Sequence, residues 1–187
     1  MFTVVALLAA SLVPPPGPVT ITVESVGGSG CPVNTTSVAM SPDNEAFTVT
    51  YSDFLLQGNG SEAKKSCTIA LRINHAAGYT YGIAATDYRG FAHLTDKAKG
   101  VVRNDYHFPG FPTRHSSRAF QAPMSDNWHV TDTPDGVAHG PCKDRKPLTV
   151  ETELKVTGKG SGSFMTMDST DSSVSTTYRL SWKKCAE

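Results

Sequence analysis

The sequence predicts an all-β protein, an antiparallel β-sandwich of two sheets, jelly-roll-like and stapled by disulfides. Three observations predict it. Apolar residues recur with period two, not 3.6, along most of the 187-residue chain. Turn-forming clusters interrupt that alternation at short intervals: Gly27-Gly28, Pro42-Asp43-Asn44, Asn59-Gly60, Pro109-Gly110, Pro134-Asp135-Gly136 and the 158–162 glycine stretch. Four cysteines, Cys31, Cys67, Cys142 and Cys185, are far apart in sequence.

The strands follow in chain order. Val19 to Val26 alternates. Phe47, Val49 and Tyr51 share one face, with Thr48, Thr50 and Ser52 on the other. Cys67, Ile69, Leu71 and Ile73 form a second apolar row against Thr68, Ala70, Arg72 and Asn74. Weaker strands are expected at Thr80 to Thr86, Gly90 to Leu94, Val101 to His107 and Trp128 to Thr131. Leu148, Val150, Leu154 and Val156 oppose Thr149, Glu151, Glu153 and Lys155, and Val174 to Trp182 closes the series. Strands with one wet face belong to antiparallel sheets. No helix is expected; Asp96 to Gly100 is a single turn at most. The segment from Pro109 to Asp126 lacks periodicity and reads as a long loop crossing the sheet, a common place for function. Nine or so strands and no internal repeat give one domain over residues 19–187.

The start of the chain bears on compartment. Residues 2–13 (FTVVALLAASLV) form an apolar run of signal-peptide length, too short to span a bilayer. Pro14-Pro15-Pro16-Gly17-Pro18 ends it, because no helix continues through such a run. Cleavage is expected between Ala9 and Pro18, so residues 1–18 are read as signal peptide and Pro-rich leader. Only the α-amine supplies charge ahead of the run. The protein is expected to be secreted and extracellular.

The cysteines agree with that compartment. Structural zinc sites bring ligands in close pairs, and no such pair exists here. Redox C-x-x-C chemistry is absent for the same reason. Two disulfides are the simpler account; four cysteines allow three connectivities. Nearest-neighbour pairing, Cys31–Cys67 and Cys142–Cys185, is expected, each bridge contributing about 3–4 kcal/mol in the chain-entropy model. Two sequons, Asn34-Thr35-Thr36 and Asn59-Gly60-Ser61, mark Asn34 and Asn59 as glycosylation acceptors for a eukaryotic source.

Charge narrows the partners. Seventeen Lys and Arg balance seventeen Asp and Glu. Phosphate binding rests on a clustered basic excess, so no nucleic-acid partner is expected, and no membrane partner. A monomer is expected.

Catalytic motifs are scarce. Gly158 to Phe164 (GKGSGSF) does not fit G-x-S-x-G in register, and Gly27-Gly28-Ser29-Gly30 lacks the Lys-Ser/Thr of a phosphate loop. No two of the six histidines stand at i and i+2, and H-E-x-x-H is absent, so no metal and no cofactor are expected. A copper-monooxygenase reading fails because no cleavage site exposes a histidine. Asp168-Ser169-Thr170-Asp171 reads as a turn rather than a calcium loop. Asp87, Asp105, Asp126 and Asp132 are available carboxylates, but sequence cannot pair them for glycoside hydrolysis. His107, Arg114, His115 and Arg118 are the acid, base and arginine types that secreted nucleases use on phosphodiesters; no catalytic assignment is made. For binding, Tyr106, His107, Phe111, His115 and Trp128 are the candidate ligand residues, with Phe108 and Phe120 nearby. Exposed aromatic rings stack on the C–H faces of sugars.

An ordered series of motifs adds to this. Gly30-Cys31-Pro32 is followed by Ser41-Pro42-Asp43, the Phe47-x-Val49-x-Tyr51 strand, Ser66-Cys67 and a Leu-x-Ile strand. Asp87-Tyr88-Arg89-Gly90, Phe108, Gly110, Pro141-Cys142 and Leu180-x-Trp182 before Cys185 complete it. Over residues 25–187 the chain resembles the secreted domain-of-unknown-function family 4360 of fungi and actinobacteria. The resemblance implies a signal peptide, a β-sandwich and disulfides at matching positions. It implies no activity. Lys143 after Cys142 departs from the family's glycine there. Asp87 to Gly90 is read as a turn shaped by a buried Asp–Arg pair. The expected function is a non-enzymatic extracellular binding or effector protein, for wall polysaccharide or a host protein. The alternative is a small secreted hydrolase of polysaccharide or RNA.

Overall fold

The computed structural model describes residues 13–158, 162–167 and 175–186. The signal-like run up to residue 12 and the Asp168–Asp171 segment lie outside the described residues. Twelve strands and no helix occur among those described: β1 Thr20–Gly27, β2 Thr36–Met40, β3 Ala46–Tyr51, β4 Leu55–Gln57, β5 Glu62–Asn74, β6 Tyr79–Leu94, β7 Lys99–His107, β8 Arg114–Gln121, β9 Met124–Asp132, β10 Leu148–Thr157, β11 Phe164–Thr166 and β12 Ser175–Lys184.

The strands form two antiparallel sheets. One has the order β1-β5-β10-β7-β8. The other runs β2-β3-β12-β6, with β9 on the free side of β6. The short β11 and β4 continue the lines of β12 and β3, because β11 pairs with the far end of β6 and β4 pairs with β11. The order β3-β12-β6-β9 facing β5-β10-β7-β8 is that of two Greek keys, the jelly roll.

The alternating rows meet between the sheets. Phe47, Val49 and Tyr51 from β3, with Tyr178 from β12, pack against Ile69, Leu71, Leu148, Val150 and Leu154 of the opposite sheet, all essentially inaccessible. Phe47 stacks on Tyr178 at 4.7 Å. A polar bridge crosses this core. Asn104 Nδ2 donates to Tyr178 Oη at 2.8 Å and to Thr152 Oγ1 at 3.1 Å, and Tyr51 Oη lies 3.3 Å from Thr152 Oγ1. Burial pushes the Tyr51 hydroxyl up to about 12 and raises that of Tyr178 further, so both stay protonated and available to the bridge.

The disulfides join Cys31 to Cys67 and Cys142 to Cys185, the nearest-neighbour pairing. Cys31 and Cys67 are buried at the edge of the core. Gly30 beside them has no room for a side chain, since a Cβ would sit 2.3 Å from the Phe54 ring. Val13 to Pro18 dock rather than project: Val13 bridges Trp182, Pro16 is buried, and Gly17 O accepts from Asn44 Nδ2 at 3.2 Å.

Two expectations are corrected. The long loop from Pro109 to Asp126 contains β8 and the start of β9. β8 pairs with β7 over eight residues as an edge strand, and only two of its own eight are even half-buried. An edge strand that buries so little leaves no apolar row to read. Second, Thr80–Thr86 and Gly90–Leu94 belong to one 16-residue strand, so Asp87 to Gly90 is no turn. Gly90 answers a packing need: a Cβ there would meet Thr166 O at 2.0 Å and the Trp128 ring at 2.3 Å.

Two histidines are expected to make the body acid-sensitive. His75 packs edge-on to Trp182 and Tyr81, and burial lowers its pKa from 6.5. Burial, then the charge of Lys183, does the same for His139. The unfolded chain therefore binds more protons than the native one just below pH 6.5. Stability is expected to be full above that value and to fall as the pH drops through the window beneath it. Thermal melts across pH 5 to 8 check this (the unfolded histidine titrates near about 6.5). The slope is expected to shrink in His75→Phe.

Candidate functional site

The outer face of the β3-β12-β6-β9 sheet carries the site, and a bulge in β6 positions it. Arg179 opposes Ala85, but Leu180 opposes Ile83, so Ala84 is the extra residue. A bulge reverses which residues face inward. Tyr81 and Ile83 face the core before it, and Thr86 and Tyr88 do so after it. Ala85, Asp87 and Arg89 are thereby turned outward onto one face.

Register assembles the rest. Thr177, Asp87 and Thr131 stand in one cross-strand row. Arg89 opposes His129 in the row beside it, and Arg179 opposes Ala85 in the row on the other side. With Thr133 and Ser175 they line an open groove of about 550 Å³, within the size range of small-molecule sites.

Asp87 is the fixed centre. Thr131 Oγ1 donates to its Oδ1 at 2.6 Å, Arg179 Nε donates to Oδ2 at 3.3 Å, and His129 Nε2 lies 3.4 Å from Oδ1. Its side chain is 15% exposed. Burial alone would raise its pKa. The Thr131 hydrogen bond and the Arg179 charge outweigh that and hold the carboxyl below its usual value of 3.8. It is ionised throughout the neutral range, and the stabilisation from its partners is lost only as pH falls through that lowered value. Arg89 is exposed and makes no hydrogen bond or ion pair with the described residues.

A second cluster lies on the outer face of the other sheet. Asp105 holds Arg103 Nη2 at 2.6 Å and His115 Nδ1 at 2.9 Å, across the β7–β8 register. Both its oxygens are engaged by its neighbours. Among the described residues no three His, Cys, Asp or Glu side chains gather as a metal site.

The structure does not bring the five sequence-chosen ligand residues together. Trp128 is 4% exposed, faces the core from β9, and packs on Phe120 at 5.6 Å. Tyr106 is also buried. His107 and His115 stand on the outer face of the five-stranded sheet, away from the groove. Phe111 is exposed in the β7–β8 turn with one edge on Phe108. Asn34 and Asn59 are both exposed, and Asn59 Oδ1 accepts from Ser61 N and Oγ. Of the groove residues, Asp87 stood among the available carboxylates and Arg89 in the motif beside it. Arg179, His129, Thr131 and Thr177 carried no signal; only the register of β12 and β9 on β6 unites them.

Fold and site together define a disulfide-linked β-sandwich with an open polar groove on one sheet. The chain belongs to the family described as a domain of unknown function, DUF4360, whose match covers residues 17–185. It is similar to an uncharacterized secreted protein of Arthroderma benhamiae, 25% identical over 181 residues, covering 92% of this chain and 74% of the relative. Among solved structures it overlaps TmCBM61 in complex with β-1,4-galactotriose, at 9% identity and a TM-score of 0.32, covering 90% of each chain. It also overlaps the mannan-recognising carbohydrate-binding module TmCBM27, at 8% identity and a TM-score of 0.35, covering 88% and 89%. Overlaps this loose carry no argument about ligands.

Proposed function

We propose that the protein is a secreted, non-enzymatic module that binds extracellular polysaccharide in the groove centred on Asp87. One observation carries the reading: a preformed, open groove in which an ionised carboxylate stands between guanidinium groups and hydroxyls. Carboxylates and guanidinium groups accept from and donate to neighbouring sugar hydroxyls with defined geometry. Asp87 is held by Thr131 and Arg179 before any ligand arrives, so little ordering is needed on binding. An open trough, rather than a closed cavity, suits a polymer that enters from the side. The disulfides and the secreted relative support an extracellular location.

The test is retention of the oxidised protein on chitin, β-glucan, cellulose and pectic polymers, with the supernatant assayed for released sugar. Asp87→Asn keeps the shape and removes the charge. It is expected to weaken binding about tenfold or more, the worth of a charged hydrogen bond. Undiminished binding in that variant contradicts the reading. Retention on no glycan moves the reading to a host-protein partner.

A hydrolase reading would rest on the Arg103–Asp105–His115 cluster. Turnover of polysaccharide or RNA that disappears in His115→Ala would replace binding with catalysis.

A further inference from the structure

We infer that the groove selects a carboxylate-bearing glycan, a polymer of uronic acid, and that Arg89 is the side chain that takes the carboxylate. The inference rests on the groove being a glycan site and names the class of glycan.

Among the described residues, the charges of the groove do not cancel. Two guanidinium groups, Arg89 and Arg179, face one carboxylate, Asp87. Arg179 is already committed to Asp87. Arg89 is not committed to any described residue, although it opposes His129 directly across β6 and β9. The planar fork of a guanidinium matches a carboxylate through two parallel hydrogen bonds, which an ammonium cannot reproduce.

The remaining lining fits the rest of such a sugar. Thr133, Ser175 and Thr177 present hydroxyls, and Asp87 presents an acceptor whose position Thr131 fixes. A neutral glycan would leave Arg89 without a partner of opposite charge. A uronate supplies one beside the ring hydroxyls that Asp87 can accept. Among the described residues, no Phe, Tyr or Trp lines the groove to offer the stacking platform that serves neutral sugars. The chain is neutral overall, so this preference comes from the local placement of Arg89 and not from a basic surface.

The experiment is calorimetric titration of the folded, oxidised protein at low ionic strength. The probes are polygalacturonate and alginate, each compared with its methyl ester, alongside dextran sulfate and a neutral β-glucan. Esterification removes the charge and leaves the hydroxyls. The acids are expected to bind at least tenfold more tightly than their esters. Arg89→Gln is expected to bring acid and ester to the same affinity, and Arg89→Lys to restore only part of the difference. Equal binding of acid and ester by the wild type overturns the inference, as does a preference that survives Arg89→Gln. Tighter binding of dextran sulfate than of either acid replaces the carboxylate with a sulfate ester. Binding of the β-glucan alone overturns the inference and leaves the glycan reading standing. Binding of none of these overturns the inference, and retention on neither chitin nor cellulose then overturns the glycan reading as well.

Discussion

The Cys31→Ala/Cys67→Ala double variant is expected to be less stable than the parent by about 4 kcal/mol, the chain-entropy value for a loop of this length. The bridge spans 36 residues of separation. Opening it frees the unfolded chain over β2, β3 and β4, which the native state must then order again. The bridge is also buried: Cys31 and Cys67 are 2% and 1% exposed. Loss of its buried sulfurs removes packing from the core, so this pair should fall further than Cys142→Ala/Cys185→Ala. That second bridge closes a similar length, 43 residues, but lies nearer the surface. Urea melts of the two double variants, with the parent under oxidising and reducing conditions, check both the size and the order. A loss below about 1 kcal/mol for the buried pair would mean that the unfolded chain is constrained by something other than the bridge.

Trp128→Ala is expected to lower stability by about 3–5 kcal/mol, the range for removing a large buried aromatic. Trp128 fills the space over Gly90 and against Phe120, and its neighbour on the same face, Val130, is buried as well. The contrast with an exposed binding platform is direct. A platform residue would lose ligand and keep stability. Trp128 should lose stability, while the molecules that remain folded keep their affinity for glycan, because its ring faces away from Asp87, His129 and Thr131. Phe111→Ala, at a site 39% exposed, should do little to either. Thermal melts and glycan titrations well below the melting temperature separate the two cases.

Much of the sandwich was legible because alternation is a direct record of one buried face. The rows from Phe47, Ile69, Leu148 and Leu180 all lie in the core. β8 was not legible, because an edge strand that buries almost nothing leaves polar residues such as Arg114, His115 and Ser117 at most positions and no alternating apolar row. A turn shaped by an Asp–Arg pair at Asp87 to Gly90 is not what the strand holds. Gly90 is there because Trp128 and Thr166 approach its Cα.

The site was harder to read than the fold for a related reason. Its residues come from three strands that are distant in sequence, and only pairing registers bring them into adjacent rows. Arg89 was visible next to Asp87, and an Asp–Arg pair was a fair reading of the motif. Neighbours in a strand point to opposite faces, while residues i and i+2 share one. Asp87 and Arg89 therefore share the outer face, yet the cation that holds Asp87 is Arg179 from β12. Exposed rings bind sugars, but Tyr106 and Trp128 are in the core.

The proposed function places the binding surface on the outer face of the β3-β12-β6-β9 sheet. The most direct measurement is amide and side-chain NMR of the isotope-labelled protein titrated with an oligomer of the glycan it retains. The expected result is a contiguous set of shifted signals from Asp87, Arg89, His129, Thr131, Thr177 and Arg179, with the outer face of the five-stranded sheet unmoved. Shifts centred instead on Arg103, Asp105 and His115, or on Phe111, would contradict the account and transfer the site to the opposite side of the sandwich.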